Sequence, residues 1–68
     1  MAEAGVVASF DEHRGYGTIR RLAGGDELFF HCTAIVDGTR TVPVGRAVRF
    51  DAVPGHLGRL EARRVDPA

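Results

Sequence analysis

The sequence has a single cysteine, Cys32, and contains no lysine, asparagine, glutamine or tryptophan. Because one cysteine cannot close an internal disulfide, a disulfide framework is excluded, which is compatible with a reducing compartment. No apolar run approaches the roughly 20 residues that a membrane helix needs, and the opening residues MAEAGVV lack the basic start of a signal peptide. We therefore expect a cytoplasmic protein that has no contact with membranes.

Charge is balanced, since nine basic and nine acidic residues give a formal net charge of zero. Any attraction to a polyanion must therefore come from where the charges lie and not from their sum. Because lysine is absent, every basic residue is an arginine. The planar guanidinium group can stack on flat ligands and bind phosphate through paired hydrogen bonds.

Length and periodicity together predict one all-β domain over residues 1–68. A chain of 68 residues has room for one hydrophobic core, and no stretch of ten or more residues shows convincing helical periodicity. Glycine-containing turns instead separate apolar stretches with strand character. The predicted strands are residues 5–11, 16–22, 27–32, 46–53 and 59–65. The last could also form a short helix, but the alternation of Leu60 and Ala62 with charged residues favours a strand.

Side chains alternate between the two faces of a strand, which separates predicted core residues from surface residues. The predicted interior set is Val7, Ile19, Leu28, Phe30, Val48, Phe50 and Leu60. This choice leaves Tyr16, Phe29 and His31 facing outward. We expect Gly15 and Gly17 to keep the surface beside Tyr16 free of Cβ atoms and to let the strand coil.

Exposed aromatic rings between arginines suggest a ligand that is both flat and negatively charged, namely a nucleic acid. Bases stack on such rings for about 1–3 kcal/mol each, largely regardless of sequence. Surface aromatics also commonly shield a sheet or pair across strands, so the pattern by itself leaves both interpretations open.

Two stretches resemble the nucleic-acid-binding motifs of the cold shock domain. RGYGTI at 14–19 is similar to K-G-F-G-F-I, and ELFFHCTAI at 27–35 is similar to D-V-F-V-H-F-S-A-I, with matching spacing. GVVASFD at 5–11 and VGRAVRF at 44–50 stand where the family has G-x-V-K-W-F-N and G-Q-x-V-x-F. The resemblance covers nearly the whole chain and implies a five-stranded antiparallel barrel of the OB-fold type.

The resemblance also implies a non-enzymatic protein that binds single-stranded RNA or DNA, as an RNA chaperone or a regulator of transcription or translation. Tyr16, Phe29 and His31 match stacking positions, and Arg14 replaces the lysine near phosphate. With the matching Phe10, and with Thr18 and Arg20 on the same predicted face, the candidate binding residues are Phe10, Arg14, Tyr16, Thr18, Arg20, Phe29 and His31.

Departures from the family pattern predict weak, salt-dependent binding. Ala8 and Ser9 replace a lysine and a tryptophan, Asp11 replaces an asparagine, and Thr18 and Cys32 replace aromatic residues. Three missing stacking groups, at about 1–3 kcal/mol per base, correspond to a few orders of magnitude in dissociation constant. A rim of arginines could compensate or could simply be a solvated face; its members are Arg20, Arg21, Arg59, Arg63 and Arg64.

Neither catalysis nor a cofactor is expected. A structural zinc site needs about four cysteine or histidine ligands, whereas Cys32 and the three histidines are widely spread. On a regular strand, His31 and Cys32 would point to opposite faces, which argues against a nucleophile and base pair. The alternative function is a protein-interaction module of the transcription or translation machinery. We expect a monomer, and the sequence does not distinguish RNA from DNA as ligand.

Overall fold

Five strands form a closed β-barrel in the computed structural model, which describes residues 2–67. The strands are β1 (Glu3–Asp11), β2 (Tyr16–Arg21), β3 (Glu27–His31), β4 (Ala47–Pro54) and β5 (Leu60–Pro67). Their order around the barrel is β1-β2-β3-β5-β4. Short 3₁₀ turns at Cys32–Ala34 and His56–Gly58 complete the regular structure. The all-β prediction is confirmed, and each strand ends within two residues of its predicted limits.

Antiparallel pairing joins most neighbouring strands, whereas β3 and β5 are parallel and share the single residue pair Phe29 and Glu61. A second parallel bridge, between Ile35 and Val65, holds the chain after β3 against β5. The pairing of β3 with β5, which closes the barrel beside Phe29, therefore has the fewest residue pairs of the five. Within residues 2–67, no helix is long and apolar enough to cross a bilayer.

The core confirms six of the seven predicted interior residues, and the exception is Leu60. Val7, Ile19, Leu28, Phe30, Val48 and Phe50 are buried. Leu60 is 43% exposed, so that prediction is wrong. It pairs with Pro54 at the far end of β4, beyond the one residue of β5 that β3 reaches, so no strand covers it. Ile35, Val42, Ala62 and Val65 complete the core.

Two bulges decide which side chains of the barrel face outward. In β1 the pairing with β2 shifts between Val7 and Ser9, so that Val7 lies opposite Ile19 while Ser9 lies opposite Thr18. The extra residue turns Ser9 to the outer face of the sheet after Val7 has pointed inward. In β5 a second shift accompanies Arg64, which has a positive φ of 53°.

β3 ends one residue earlier than predicted. Cys32 begins a 3₁₀ turn and does not continue the strand. The expectation that Cys32 and His31 point to opposite faces assumed a regular strand through Cys32, and it does not apply because strand alternation stops at His31. The Cys32 Sγ lies 3.9 Å from His31 Nδ1.

Candidate nucleic-acid interface

The outer face of β1, β2 and β3 brings the predicted aromatic residues together. Tyr16 pairs with His31 across β2 and β3, and Thr18 pairs with Phe29 in the same register. We call this the stacking surface and define it as Tyr16, Phe29 and His31 with their polar neighbours Ser9, Thr18 and Arg20. His31 is exposed, Tyr16 is half-buried and Phe29 is 40% exposed. Their shared face follows from the two-residue alternation of two neighbouring strands.

Tyr16 and Phe29 form an aromatic pair on this surface. Their ring centroids are 5.5 Å apart and the ring planes are tilted by 42°. Such geometry stabilises a pair by about 0.5–1.5 kcal/mol beyond area burial. The pair therefore fixes the two rings relative to each other while leaving part of Phe29 open to a ligand.

Arg14 is held beside Tyr16 by a tight turn between β1 and β2. The Asp11 carboxylate accepts hydrogen bonds from the backbone N–H groups of His13 and Arg14, at 3.0 and 3.1 Å. Gly15, with a φ of 77°, donates to the Asp11 carbonyl at 2.7 Å. Arg14 Nη1 then donates to the Tyr16 hydroxyl at 3.2 Å. This bond and the nearby Asp11 carboxylate raise the pKa of Arg14.

Hydrogen-bonded polar groups occupy the positions where the cold shock pattern has tryptophan and phenylalanine. Ser9 Oγ lies 2.8 Å from Thr18 Oγ1, and Thr18 Oγ1 donates to Glu27 Oε1 at 2.9 Å. Because Thr18 uses its proton on Glu27, Ser9 donates to Thr18. Glu27 also lies 3.5 Å from Arg20. The polar row therefore offers no flat apolar area for a base.

Phe10 packs differently from the other aromatic candidates. Its ring stacks on the buried Phe30, with centroids 5.8 Å apart and planes 15° from parallel. It is half-buried against the core, and its remaining exposed edge lines a shallow pocket with Tyr16 and Phe29. Phe10 is thus mainly a core residue that also contributes to the floor of the stacking surface.

Gly17 has a packing role that the sequence did not reveal. A Cβ atom at this position would collide with the Ser9 carbonyl oxygen and would lie 2.9 Å from the Phe10 Cα. The residue is buried, so it does not clear the outer surface for a ligand as expected. Instead it lets β1 and β2 approach closely at the bulge, and this close approach places Tyr16 and Thr18 beside β1.

The predicted arginine rim is divided between structural and surface roles. Arg21 donates from Nε and Nη2 to the two carboxylate oxygens of Glu3, at 2.9 and 2.8 Å, and lies 3.3 Å from Asp26. These bonds raise the pKa of Arg21, and they give its side chain a structural role in joining β1 to β2. Arg63 and Arg64 form longer ion pairs on β5, with Glu61 and Asp51. Arg20 is the only member of the predicted rim on the stacking surface as defined above.

An apolar groove lies beside Phe29, and the sequence analysis did not predict it. Leu57 is 84% exposed and Leu60 is 43% exposed, and both line this groove with Phe29, Glu27 and Arg59. Leu57 has a positive φ of 58°, which is uncommon for a branched side chain. An apolar residue in the turn PGHLG, Leu57, could have indicated an exposed apolar site. Its proximity to β3, however, depends on closure of the barrel and could not be read from the sequence.

One known family matches this chain over almost its full length. The sequence profile of the 'Cold-shock' DNA-binding domain matches residues 3–68. The chain belongs to the cold-shock domain family. The resemblance of the two motifs is thereby confirmed, and with it a nucleic-acid-binding class of protein.

Curated relatives and a solved structure agree with this membership. Cold shock-like protein CspA of Stigmatella aurantiaca is 39% identical over 62 residues, covering 90% of both chains. Cold shock-like protein CspD of Escherichia coli is 39% identical over 57 residues, covering 82% of this chain and 77% of the relative. The solved structure of Drosophila Unr CSD456 superimposes with a TM-score of 0.83 at 31% identity, covering all of this chain but 27% of that one.

The described part of this cold-shock domain contains no cluster of three or more histidine, cysteine, aspartate or glutamate side chains that could hold a metal ion. Polar side chains with no hydrogen-bond partner are likewise absent from its described interior.

Proposed function

We propose that this cold-shock domain binds single-stranded RNA or DNA by stacking unpaired bases on Tyr16, Phe29 and His31, with Arg14 contacting phosphate. The observation that supports this is the register that places the three rings side by side on the outer face of β2 and β3. Stacking of this kind tolerates any base, because every base has a π face. Phe10 supports the surface from below, and Arg20 is one of its polar members.

The affinity proposed is low because part of the platform is polar. Ser9 and Thr18 bond to each other and to Glu27, so they offer hydrogen-bonding groups where an aromatic ring would stack. Arg20 is paired with Glu27, which reduces its attraction for phosphate. Because few arginines near the surface are available to contact phosphate, the logarithm of the affinity should fall only gently as the logarithm of the salt concentration rises, by about 0.7 per phosphate contact.

A cytoplasmic RNA chaperone or a regulator of transcription or translation is the role that we infer from this binding mode. Weak, sequence-tolerant stacking allows a protein to hold a strand open briefly and release it. The family membership supports the class of ligand, and the polar row at Ser9 and Thr18 supports transient contact over a tight complex.

The test is a titration of a fluorescently labelled pyrimidine hexamer in low salt with the intact protein, Tyr16→Ala and Phe29→Ala. Each variant should lose about 1–3 kcal/mol, a factor of about 5 to 150 in dissociation constant. Leu22→Ala is the matched control, because Leu22 is 68% exposed and follows β2 in a turn. Absence of binding by the intact protein at millimolar concentration would refute the proposal.

A protein-interaction module remains the second candidate, and the groove beside Phe29 is what favours it. Exposed Leu57 and Leu60 extend the apolar area of Phe29, and exposed apolar patches commonly mark interaction sites. In this case the hexamer titration would show no saturable signal, and Leu57→Ser would not change the protein's behaviour towards nucleic acid.

A further inference from the structure

The imidazole of His31 is surrounded by hydrogen-bond donors on one side. Its Nδ1 accepts the backbone N–H of Thr33 at 3.2 Å and lies 2.9 Å from the Thr33 hydroxyl oxygen. The Cys32 thiol lies 3.9 Å from the same nitrogen. His31 thereby caps the 3₁₀ turn Cys32–Ala34 with its side chain.

A backbone N–H decides the tautomer of this ring. The hydroxyl of Thr33 can rotate and serve as donor or acceptor, but the backbone N–H of Thr33 can only donate. A proton on Nδ1 would point at that N–H and remove the cap. In the neutral ring the proton must therefore lie on Nε2.

The Nε2 edge of the ring has no partner among the described side chains, and His31 is exposed beside Tyr16 on the stacking surface. A neutral ring with its proton on Nε2 thus carries an unused N–H donor next to the place where bases are proposed to stack. The flat face and the donor edge belong to the same side chain.

We propose that Thr33 is a positioning residue that holds His31 in the Nε2–H tautomer, so that His31 donates a hydrogen bond to an oxygen of the bound strand as well as stacking on it. This inference rests on the proposed function. It adds a directional contact to an otherwise sequence-tolerant surface, and the accepting oxygen is either a base carbonyl or a phosphate oxygen.

The tautomer can be read without any ligand. A long-range ¹H–¹⁵N correlation spectrum at pH 8, where imidazole rings are ordinarily neutral, separates a protonated ring nitrogen from an unprotonated one. We expect His31 to show a protonated Nε2 and an unprotonated Nδ1, with His13 in the β1–β2 turn as an internal reference. Predominance of the Nδ1–H form in His31 would overturn the inference.

Hydrogen bonding to the strand is tested by His31→Phe, which keeps an aromatic face and removes the donor. This variant should bind a thymidine hexamer about two- to tenfold more weakly, the range for one net hydrogen bond. Thr33→Pro removes the backbone N–H of residue 33 and should show a smaller loss together with a larger share of the Nδ1–H form, whereas Thr33→Val keeps that N–H and should leave the Nε2–H form predominant. If His31→Phe binds as tightly as the intact protein, stacking alone accounts for His31.

The source of the accepting oxygen follows from a second ligand. Adenine has no carbonyl group, although its ring nitrogens accept hydrogen bonds. A loss confined to the thymidine hexamer therefore assigns the bond to a base carbonyl, whereas an equal loss with a deoxyadenosine hexamer shows that no base carbonyl is required. Binding by the intact protein is measured in the same series. Its absence would refute the proposed function, whereas its presence with unaffected variants would refute only this inference.

Discussion

Replacing Thr18 with phenylalanine should rebuild part of the missing platform. Thr18 lies opposite Phe29 on one side and opposite Ser9 on the other, so a ring at this position would extend the Tyr16 and Phe29 pair across the middle of the sheet. The change removes the hydrogen bonds of Thr18 with Ser9 and Glu27. Both bonds are exposed, so their loss should cost little stability.

One additional stacked base supplies about 1–3 kcal/mol, which corresponds to a dissociation constant lower by a factor of about 5 to 150. An opposing effect comes from Glu27, whose carboxylate loses the Thr18 donor. Its ion pair with Arg20 at 3.5 Å remains, so the repulsion of phosphate should change less than the stacking. We therefore expect a net gain in affinity.

The assay is the hexamer titration in low salt with the intact protein, Thr18→Phe and two controls. Thr18→Val breaks the same hydrogen bonds without adding a ring, and Leu22→Phe adds a ring in the β2–β3 turn, outside the stacking surface. Neither control should tighten binding. If Thr18→Phe leaves the affinity unchanged while its melting temperature shows an intact fold, the reasoning that bases stack on this face is refuted.

Gly17→Ala should lower the free energy of unfolding by at least about 2 kcal/mol, a size typical of backbone collisions in a core, because its Cβ would meet the backbone of β1; an unchanged thermal or urea transition would contradict this packing. Arg14→Ala should reduce the salt slope of binding by about 0.7, whereas Arg49→Ala on β4 should leave it unchanged, and equal effects would place phosphate elsewhere. Hydrogen bonds from Thr39 lower the pKa of Asp37, so the contribution of this carboxylate is present above about pH 4, the unfolded range, and is lost as the pH falls through the lower folded value. The Thr39 amide shift should follow that titration and stay constant in Asp37→Asn; a midpoint at or above the ordinary aspartate value would be inconsistent with these bonds.

Much of the stacking surface could be predicted from sequence because strand alternation is a local property. Once Ile19, Leu28 and Phe30 are assigned to the core, Tyr16 and Phe29 must face outward, and the structure agrees. The prediction failed where a strand ended. Cys32 left the alternation by entering a 3₁₀ turn, and its thiol therefore lies near the His31 ring.

Contacts between distant parts of the chain could not be predicted from the alternation of apolar and polar residues. The role of Gly17 depends on how closely β1 approaches β2 at the bulge. The exposure of Leu60 depends on how little of β5 is reached by β3. The tautomer of His31 depends on a turn that begins only after the strand ends.

The order of apolar and polar residues was sufficient to predict an all-β domain and the side of the sheet on which its aromatic residues lie, and the resemblance of RGYGTI and ELFFHCTAI to the cold shock motifs implied the type of barrel. This information is local, since neighbouring residues on a strand must point in opposite directions. Tertiary structure alone decided the distances between those rings, the polar row from Ser9 to Glu27, the groove beside Phe29 and the donor edge of His31. These features arise from bulges, strand ends and barrel closure, where residues far apart in the chain share one limited space.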